Sequence, residues 1–309
     1  MNLQLIQVIV GVIFIYLLLS LLVTAIQEII AALFDLRARE LQRGIKRMLD
    51  DDNQGVLAEK FYNSYLIKYL SKNAKNKPSY LSSKEFSTAL TEILSHLSDV
   101  KSYEDSVYDG IKKLPDGDTK FLLLSFVDQS NHNIETFINS IENWFNGTMD
   151  RVSGWYKRKT QIIVWCIGLV LAVMFNADTF NIYGTLSSNS VKSNILFNLA
   201  SGYVNNDISI SSKDTTKKSL AELIKETNND LDSLNVISNL NVIGWNEAQI
   251  QQMTHLKGLR QGFNRWSVKL LGWIISAIAI TLGAPFWFDL LSMFINIRNA
   301  GKKPADAKT

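Results

Sequence analysis

Charged residues are absent from Leu3 to Gln27, 25 consecutive positions dominated by Leu, Ile and Val. Two further uncharged apolar runs follow, Thr160 to Ala177 and Leu270 to Phe288. At 1.5 Å rise per residue the first run makes a helix of roughly 38 Å, longer than the roughly 30 Å hydrocarbon core of a bilayer. Three runs of this length are hard to place inside a soluble protein and predict three transmembrane helices. The first lacks a basic leader and a small-x-small cleavage site, and it exceeds the apolar stretch of a signal peptide, so it reads as a permanent span.

Between the runs the periodicity is helical. Leu33, Phe34, Leu36, Leu41, Ile45, Met48 and Leu49 continue the first run near a 3.6-residue period, predicting one unbroken helix to about Asp50, where Asp50, Asp51, Asp52 and Asn53 stop it. Ile134, Phe137, Ile138, Ile141, Trp144, Phe145, Met149, Val152, Trp155 and Tyr156 recur every three or four residues and lead into the second run. These two long helices are expected to pack antiparallel, with Gly147 and Gly154 as places where another backbone comes close. Shorter helices are expected over Val56 to Leu70, from Ser82 or Ser83 through Leu94, and over Thr119 to Val127. The turns Lys77-Pro78 and Leu114-Pro115-Asp116-Gly117 separate them. Beyond the second run the chain is rich in Asn, Ser and Thr. There Ile208 to Thr216 reads as a loop, and Leu220 to Leu234 and Ile250 to Trp266 as helices.

Charge orients this pattern. Arg37, Arg39, Arg43, Lys46 and Arg47 follow the first run and Arg151, Lys157, Arg158 and Lys159 precede the second, with Glu40 the one acid among them. By the positive-inside rule the segment between these runs is cytoplasmic. Lys257, Arg260, Arg265 and Lys269 before the third run balance Arg298, Lys302, Lys303 and Lys308 after it, so the third span takes its direction from the first two. From Asp50 to Asp150 there are 16 acids against 10 Lys, so the basic collar is expected at anionic headgroups and the acidic part away from them.

The expected organisation is transmembrane helix 1 at 1–35, a cytoplasmic helical domain at 36–159, and transmembrane helix 2 at 160–177. An extracytoplasmic segment at 178–269, a kinked transmembrane helix 3 at 270–297 and a cytoplasmic tail at 298–309 complete it. The fold class is all-α: an integral membrane protein with three transmembrane helices. Long helical extensions form a cytoplasmic bundle, and the extracytoplasmic segment is smaller and mostly helical. A mean hydropathy of +0.03 conceals this division because apolar and polar blocks cancel.

Candidate chemistry is sparse. The single Cys166 falls inside the second span, and His96, His132 and His255 are far apart in sequence, so neither a disulfide framework nor a metal-ligand spacing is present. Intramembrane proteolysis requires a Ser/His pair, paired aspartates or a His-Glu metal motif, and none is recognisable. The expectation is a protein that is not an enzyme and carries no cofactor. Two acids interrupt the apolar pattern. Glu28 is either an ion- or proton-linked site or an interfacial acid held by Arg37, Arg39 or Lys159. Asp289, with Arg298 as a shared partner, follows the helix break expected at Gly283 and Pro285. That break either exposes carbonyls that could bind an ion or turns Phe286 to Ile297 along the inner surface, with Trp287 in the aromatic belt. Trp155, Tyr156, Lys157, Arg158 and Lys159 read as a headgroup anchor rather than a nucleic-acid patch.

Trp144-Phe145 followed by Met149-Asp150-Arg151-Val152-Ser153-Gly154-Trp155-Tyr156-Lys157-Arg158, and Gly283-Ala284-Pro285-Phe286-Trp287-Phe288-Asp289-Leu290-Leu291 ending in Ala300-Gly301, are two extended motifs. With the first apolar run and its extension to Asp50, they resemble a widespread family of uncharacterised bacterial integral inner-membrane proteins. The resemblance covers most of the chain except the 178–269 segment. It implies a multi-pass protein of the bacterial inner membrane and no substrate. The functional expectation is a non-enzymatic inner-membrane anchor or scaffold whose cytoplasmic helical domain assembles or docks a larger complex. The alternative is an oligomeric channel or pore-forming effector in a stress or defence system. Expected partners are anionic lipid headgroups and a protein partner or a second copy, not nucleic acid.

Overall fold

Helices are the regular elements throughout the described residues, with no strand among them. The computed structural model describes residues 3–49, 56–70, 77–205, 231–246, 250–251 and 259–300. The chain divides into two compact units: a split unit formed by residues 1–32 and 160–309, and an inserted unit formed by residues 33–159.

In the split unit α1 (Leu3–Leu33) is surrounded by its neighbours. Leu17, Leu18 and Leu19 point in directions about 100° apart and are all fully buried, so no face of this helix is left as a solvent stripe. α9 (Thr179–Ser188) and α10 (Ser190–Asn205) form a helical hairpin around Asn189, whose side chain accepts from the amides of Val191 and Lys192. Gly11 lets this hairpin approach, since a β-carbon there would lie 3.0 Å from a Leu186 methyl and 3.5 Å from Leu196. α9 runs antiparallel to α1, as the bonds Tyr16–Thr179 and Gln4–Ser187 show. α11 (Leu259–Thr281), α12 (Ala284–Ala300) and the stretch 231–243 complete the same apolar core with Ile280, Leu291, Ile295, Leu234, Ile237 and Ile243.

The inserted unit is built on α2 (Leu36–Leu49) and the first part of α8 (Ile134–Met174). They pack antiparallel as expected: Lys159 pairs with Glu40 at 2.6 Å, and Gly44 faces Val152 and Met149. α3 (Val56–Asn63), α4 (Tyr65–Leu70), α5 (Ser83–Ser95), α6 (Tyr103–Lys112) and α7 (Asp118–Gln129) fill the space between. The core is aromatic. Phe86, fully buried, lies 4.7 Å from Phe145, 5.2 Å from Phe61 and 6.2 Å from Trp144 between ring centroids. α5 begins with a capping box, the Ser82 hydroxyl accepting from the Glu85 amide and the Glu85 carboxylate accepting from the Ser82 amide.

Several expectations change. The first helix does not continue to Asp50 but breaks at Phe34–Asp35, where Asp35 takes φ 47°, a left-handed conformation that Asp tolerates. The expected stop at 50–53 lies outside the described residues, as does the loop at 208–216. Of the helix expected over 220–234, residues 220–230 lie outside the described residues, and 231–234 are helical and continue to 239; most of the helix expected over 250–266 is likewise undescribed. Val56 to Leu70 is two helices rather than one, because the Ser64 hydroxyl bonds back to the Phe61 carbonyl at 2.9 Å. The polar helix α6 escaped the periodicity argument. It packs on α5 where Gly110 meets the backbone carbonyl of Leu94. Gly147 and Gly154 mark no close approach, since a β-carbon at either has nothing within 4 Å.

Among the described residues one helix, α1, is long and apolar enough to cross a membrane alone. Two more spans exist only if each of two bent pairs counts as one: α8 with α9, bent by 47°, and the part of α11 from Trp266 with α12 to Ile297, bent by 92°. The second helix ends at Met174, inside the expected 160–177 span. The break in the third falls at Leu282–Gly283, with Gly283 at φ 90°.

Candidate functional site

Both breaks in the split unit strand backbone polar groups among apolar side chains, where each must find a partner. At the α11–α12 break the partners are side chains. Ser20 donates to the Ile280 carbonyl at 3.0 Å, the Trp287 indole to the Ala279 carbonyl at 2.8 Å, and Thr281 to the Ile278 carbonyl at 2.7 Å. These are the carbonyls that the sequence left open as ion ligands, and here they are capped. Trp287 is correspondingly buried, with its ring 5.0 Å from that of Tyr16. Pro285 falls in the first turn of α12, where its missing N–H removes no helical hydrogen bond.

The α8–α9 break gathers more chemistry. Asn176, at φ 45°, donates to the Gly244 carbonyl at 2.9 Å and accepts from the Trp273 indole at 3.3 Å. Asp178 is buried and caps α9, accepting from the Phe180 amide at 3.0 Å. Thr179 joins three helices, lying 2.8 Å from the Tyr16 hydroxyl, 2.9 Å from the Ser276 hydroxyl and 3.3 Å from the Gly272 carbonyl. Gly272 has no room for a side chain, because a β-carbon would occupy the place of the Asp178 carboxylate. The Lys269 ammonium lies 4.5 Å from the Trp245 ring centroid and 5.6 Å from that of Trp273, and it attracts the Asp178 carboxylate. The Trp245 indole donates to the Val173 carbonyl at 3.1 Å, fastening the 244–245 segment to the end of α8.

The result is a polar seam inside an apolar unit: three hydroxyls in a chain, a buried carboxylate, and a half-buried ammonium between two indoles. Compared with protein-family models, with curated proteins and with solved structures, the chain finds no match. The seam can order a broken helix, and its hydroxyl chain beside a carboxylate is also a set of groups able to pass a proton. Among the described residues no three His, Cys, Asp or Glu side chains gather as metal ligands.

The acids singled out in the sequence lie elsewhere. Glu28 is half-buried on α1, and Asp289 is exposed on α12. The backbone of Arg298 belongs to the last turn of α12, and its side chain lies outside the described residues. Of the anchor group, Lys159 is engaged with Glu40, which also holds Arg43 at 2.8 Å. Trp155 takes the Arg47 guanidinium 5.2 Å from its ring centroid, Tyr156 buries its hydroxyl, and Lys157 and Arg158 are exposed.

Tyr16, Asn176, Asp178, Thr179, Lys269, Trp273 and Ser276 were not selected from the sequence as a site. A signal was present in the uncharged polar or small residues set one helical turn apart inside apolar runs: Tyr16 with Ser20, and Gly272 with Ser276. Lys269 stands in the sequence as one of the charges bordering the third run, and only the fold places it with Asp178.

Proposed function

We propose that this chain is a non-enzymatic, multi-pass protein of the bacterial inner membrane whose inserted helical unit lies in the cytoplasm and docks a protein partner or a second copy. The observation that carries this reading is the division of the chain into two separately cored units with opposite surfaces. The split unit leaves Ile162, Val170, Leu271, Ile275, Ile278 and Met293 exposed, as lipid-facing helices would. The inserted unit has a core of the kind found in water. It presents Tyr65 and Tyr69, 90% and 88% exposed and one turn apart on α4, the type of side chain enriched at protein interfaces. Purification of the full chain in mild detergent with lysine cross-linking tests this reading. A stoichiometric partner or a dimer, weakened by Tyr65→Ser with Tyr69→Ser, is the expected result, and repeated recovery of a lone monomer would sink the docking role.

A second reading, an oligomeric channel, is favoured by one observation, the polar seam at Tyr16, Asp178, Thr179, Lys269 and Ser276. Flux of protons or small cations into liposomes that disappears with Asp178→Asn would support it. Tight liposomes under all conditions would remove it.

A further inference from the structure

Within the inserted unit, α2, α7 and α8 enclose an open cleft of about 540 Å³, within the size range of small-ligand sites. Its lining includes Arg47, Arg151, Asp118, Trp144, Thr148 and Trp155. Two arginines and one aspartate are thus among its lining residues, and neither arginine is ion-paired with another described residue. Both are exposed, and each makes one contact that orients it. The Nε of Arg151 donates to the Gly147 carbonyl at 3.1 Å, which leaves its terminal nitrogens to donate elsewhere. Arg47 is stacked 5.2 Å from the Trp155 ring centroid. Asp118 is the first residue of α7, where its negative charge is shared with the helix N-terminus, so the cleft is left cationic. Gly117 at the N-cap offers no side-chain cap to the first-turn amides, and Thr119 fastens this end of α7 to α2 by donating to the Met48 carbonyl at 3.0 Å.

From the paired arginines, the indole walls and this helix start we infer that the cleft binds a phosphate ester through Arg47 and Arg151. The residue types suit a group with several anionic oxygens, because two guanidiniums can each donate two parallel hydrogen bonds. The source is either a lipid headgroup or a soluble phosphate. Trp155 and Arg151 lie about 7.5 Å and about 13.5 Å along α8 before the apolar run begins at Thr160, a depth that starts at headgroups and extends beyond them. The lipid source rests on the membrane reading proposed above, whereas the soluble source does not.

The test uses the full chain in a phosphorus-free maltoside detergent. Glycerol 3-phosphate is titrated calorimetrically, and retention of a short-chain phosphatidylglycerol is followed by native mass spectrometry. Wild type is expected to bind at least one of these probes, and Arg47→Gln with Arg151→Gln to weaken that binding at least about tenfold. Thr148→Phe fills the cleft without changing charge and should weaken it as well, which keeps the test sharp if the double arginine variant loses helix content. Lys60→Gln with Lys68→Gln removes the same charge from exposed positions on α3 and α4, outside the cleft, and should leave binding within about twofold if the site is local. Binding of both probes identifies the phosphate itself as the ligand, and binding of the lipid alone assigns the site to a headgroup. Equal binding by wild type and both cleft variants, equal loss in the Lys60/Lys68 control, or no binding of either probe would overturn the inference.

Discussion

Apolar side chains lie on the inside of both units, but the units differ in what they leave outside and in how their cores are made. The inserted unit buries rings against rings, with Phe61, Phe86, Phe137 and Phe145 at its centre, and its helices carry short amphipathic stripes. The split unit wraps a helix that is apolar on every side, and its outer helices then turn further aliphatic side chains outward. Polar groups follow the opposite rule. In the inserted unit the buried ones are mostly hydroxyls bonded to a carbonyl of their own helix, as Thr91 to Ser87 and Ser130 to Val127, whereas in the split unit Tyr16, Asn176, Thr179 and Ser276 are bonded across helices, beside the buried Asp178. The difference is what two solvents would impose: water rewards a polar exterior, and hydrocarbon penalises every polar group that lacks an internal partner.

This contrast can be broken most severely at the aromatic centre. Phe86→Ala should cost the inserted unit about 3–5 kcal/mol, read as loss of near-ultraviolet circular dichroism at lower denaturant. A ring contact of little consequence there would mean that the core is not organised around it. Next come the two surfaces. Ile278, 53% exposed, should tolerate Lys poorly in lipid, at about 2.5–3.5 kcal/mol if it faces the bilayer centre, while Phe121, 62% exposed, should accept Lys within about 0.5 kcal/mol. Thermal unfolding in bicelles compares them, and equal tolerance at both sites would contradict the assignment of different solvents.

Glycines provide a smaller test. Gly110→Ala drives a methyl into the Leu94 carbonyl and should destabilise the inserted unit by about 1–3 kcal/mol or more. Gly154→Ala meets open space and should stabilise α8 by up to about 1 kcal/mol, so opposite shifts in unfolding midpoint are expected. The smallest effect is on pH dependence. The Ser98 hydroxyl and then the Lys113 ammonium bond the Asp109 carboxylate, at 2.6 Å and 3.0 Å, and hold its pKa below the ordinary 3.8. A lowered carboxylate stabilises the fold above its unfolded value and loses that contribution as pH falls through the folded value. The stability gap between wild type and Asp109→Asn should therefore be steady near neutrality and narrow below about pH 4. A gap that widens in acid would reverse the assignment.

Much of the helical plan was legible along the chain. The apolar run of α1, the stripe that becomes α8, the cap at Ser82 and the break at Gly283 are local features, and local spacing carries them. The breaks at Asp35, Ser64 and Asn176 were not legible. Asp, Ser and Asn sit in helices as readily as they interrupt them, and at Ser64 and Asn176 the choice is made by bonds to Phe61, Gly244 and Trp273. The candidate site was the least legible part. Glu28 and Asp289 stood out because charge is conspicuous in an apolar run, yet the packed polar groups are mostly uncharged and come from segments more than 90 residues apart.

By itself the sequence determined that helices of two kinds alternate along this chain, since periodicity and the absence of charge act over a few turns. Only the tertiary structure decided which interruptions are real and which polar groups meet. A stranded carbonyl or buried hydroxyl is stable only beside its partner, and for Ile280 and the Tyr16–Thr179–Ser276 chain that partner is distant in the chain and adjacent only once the helices pack.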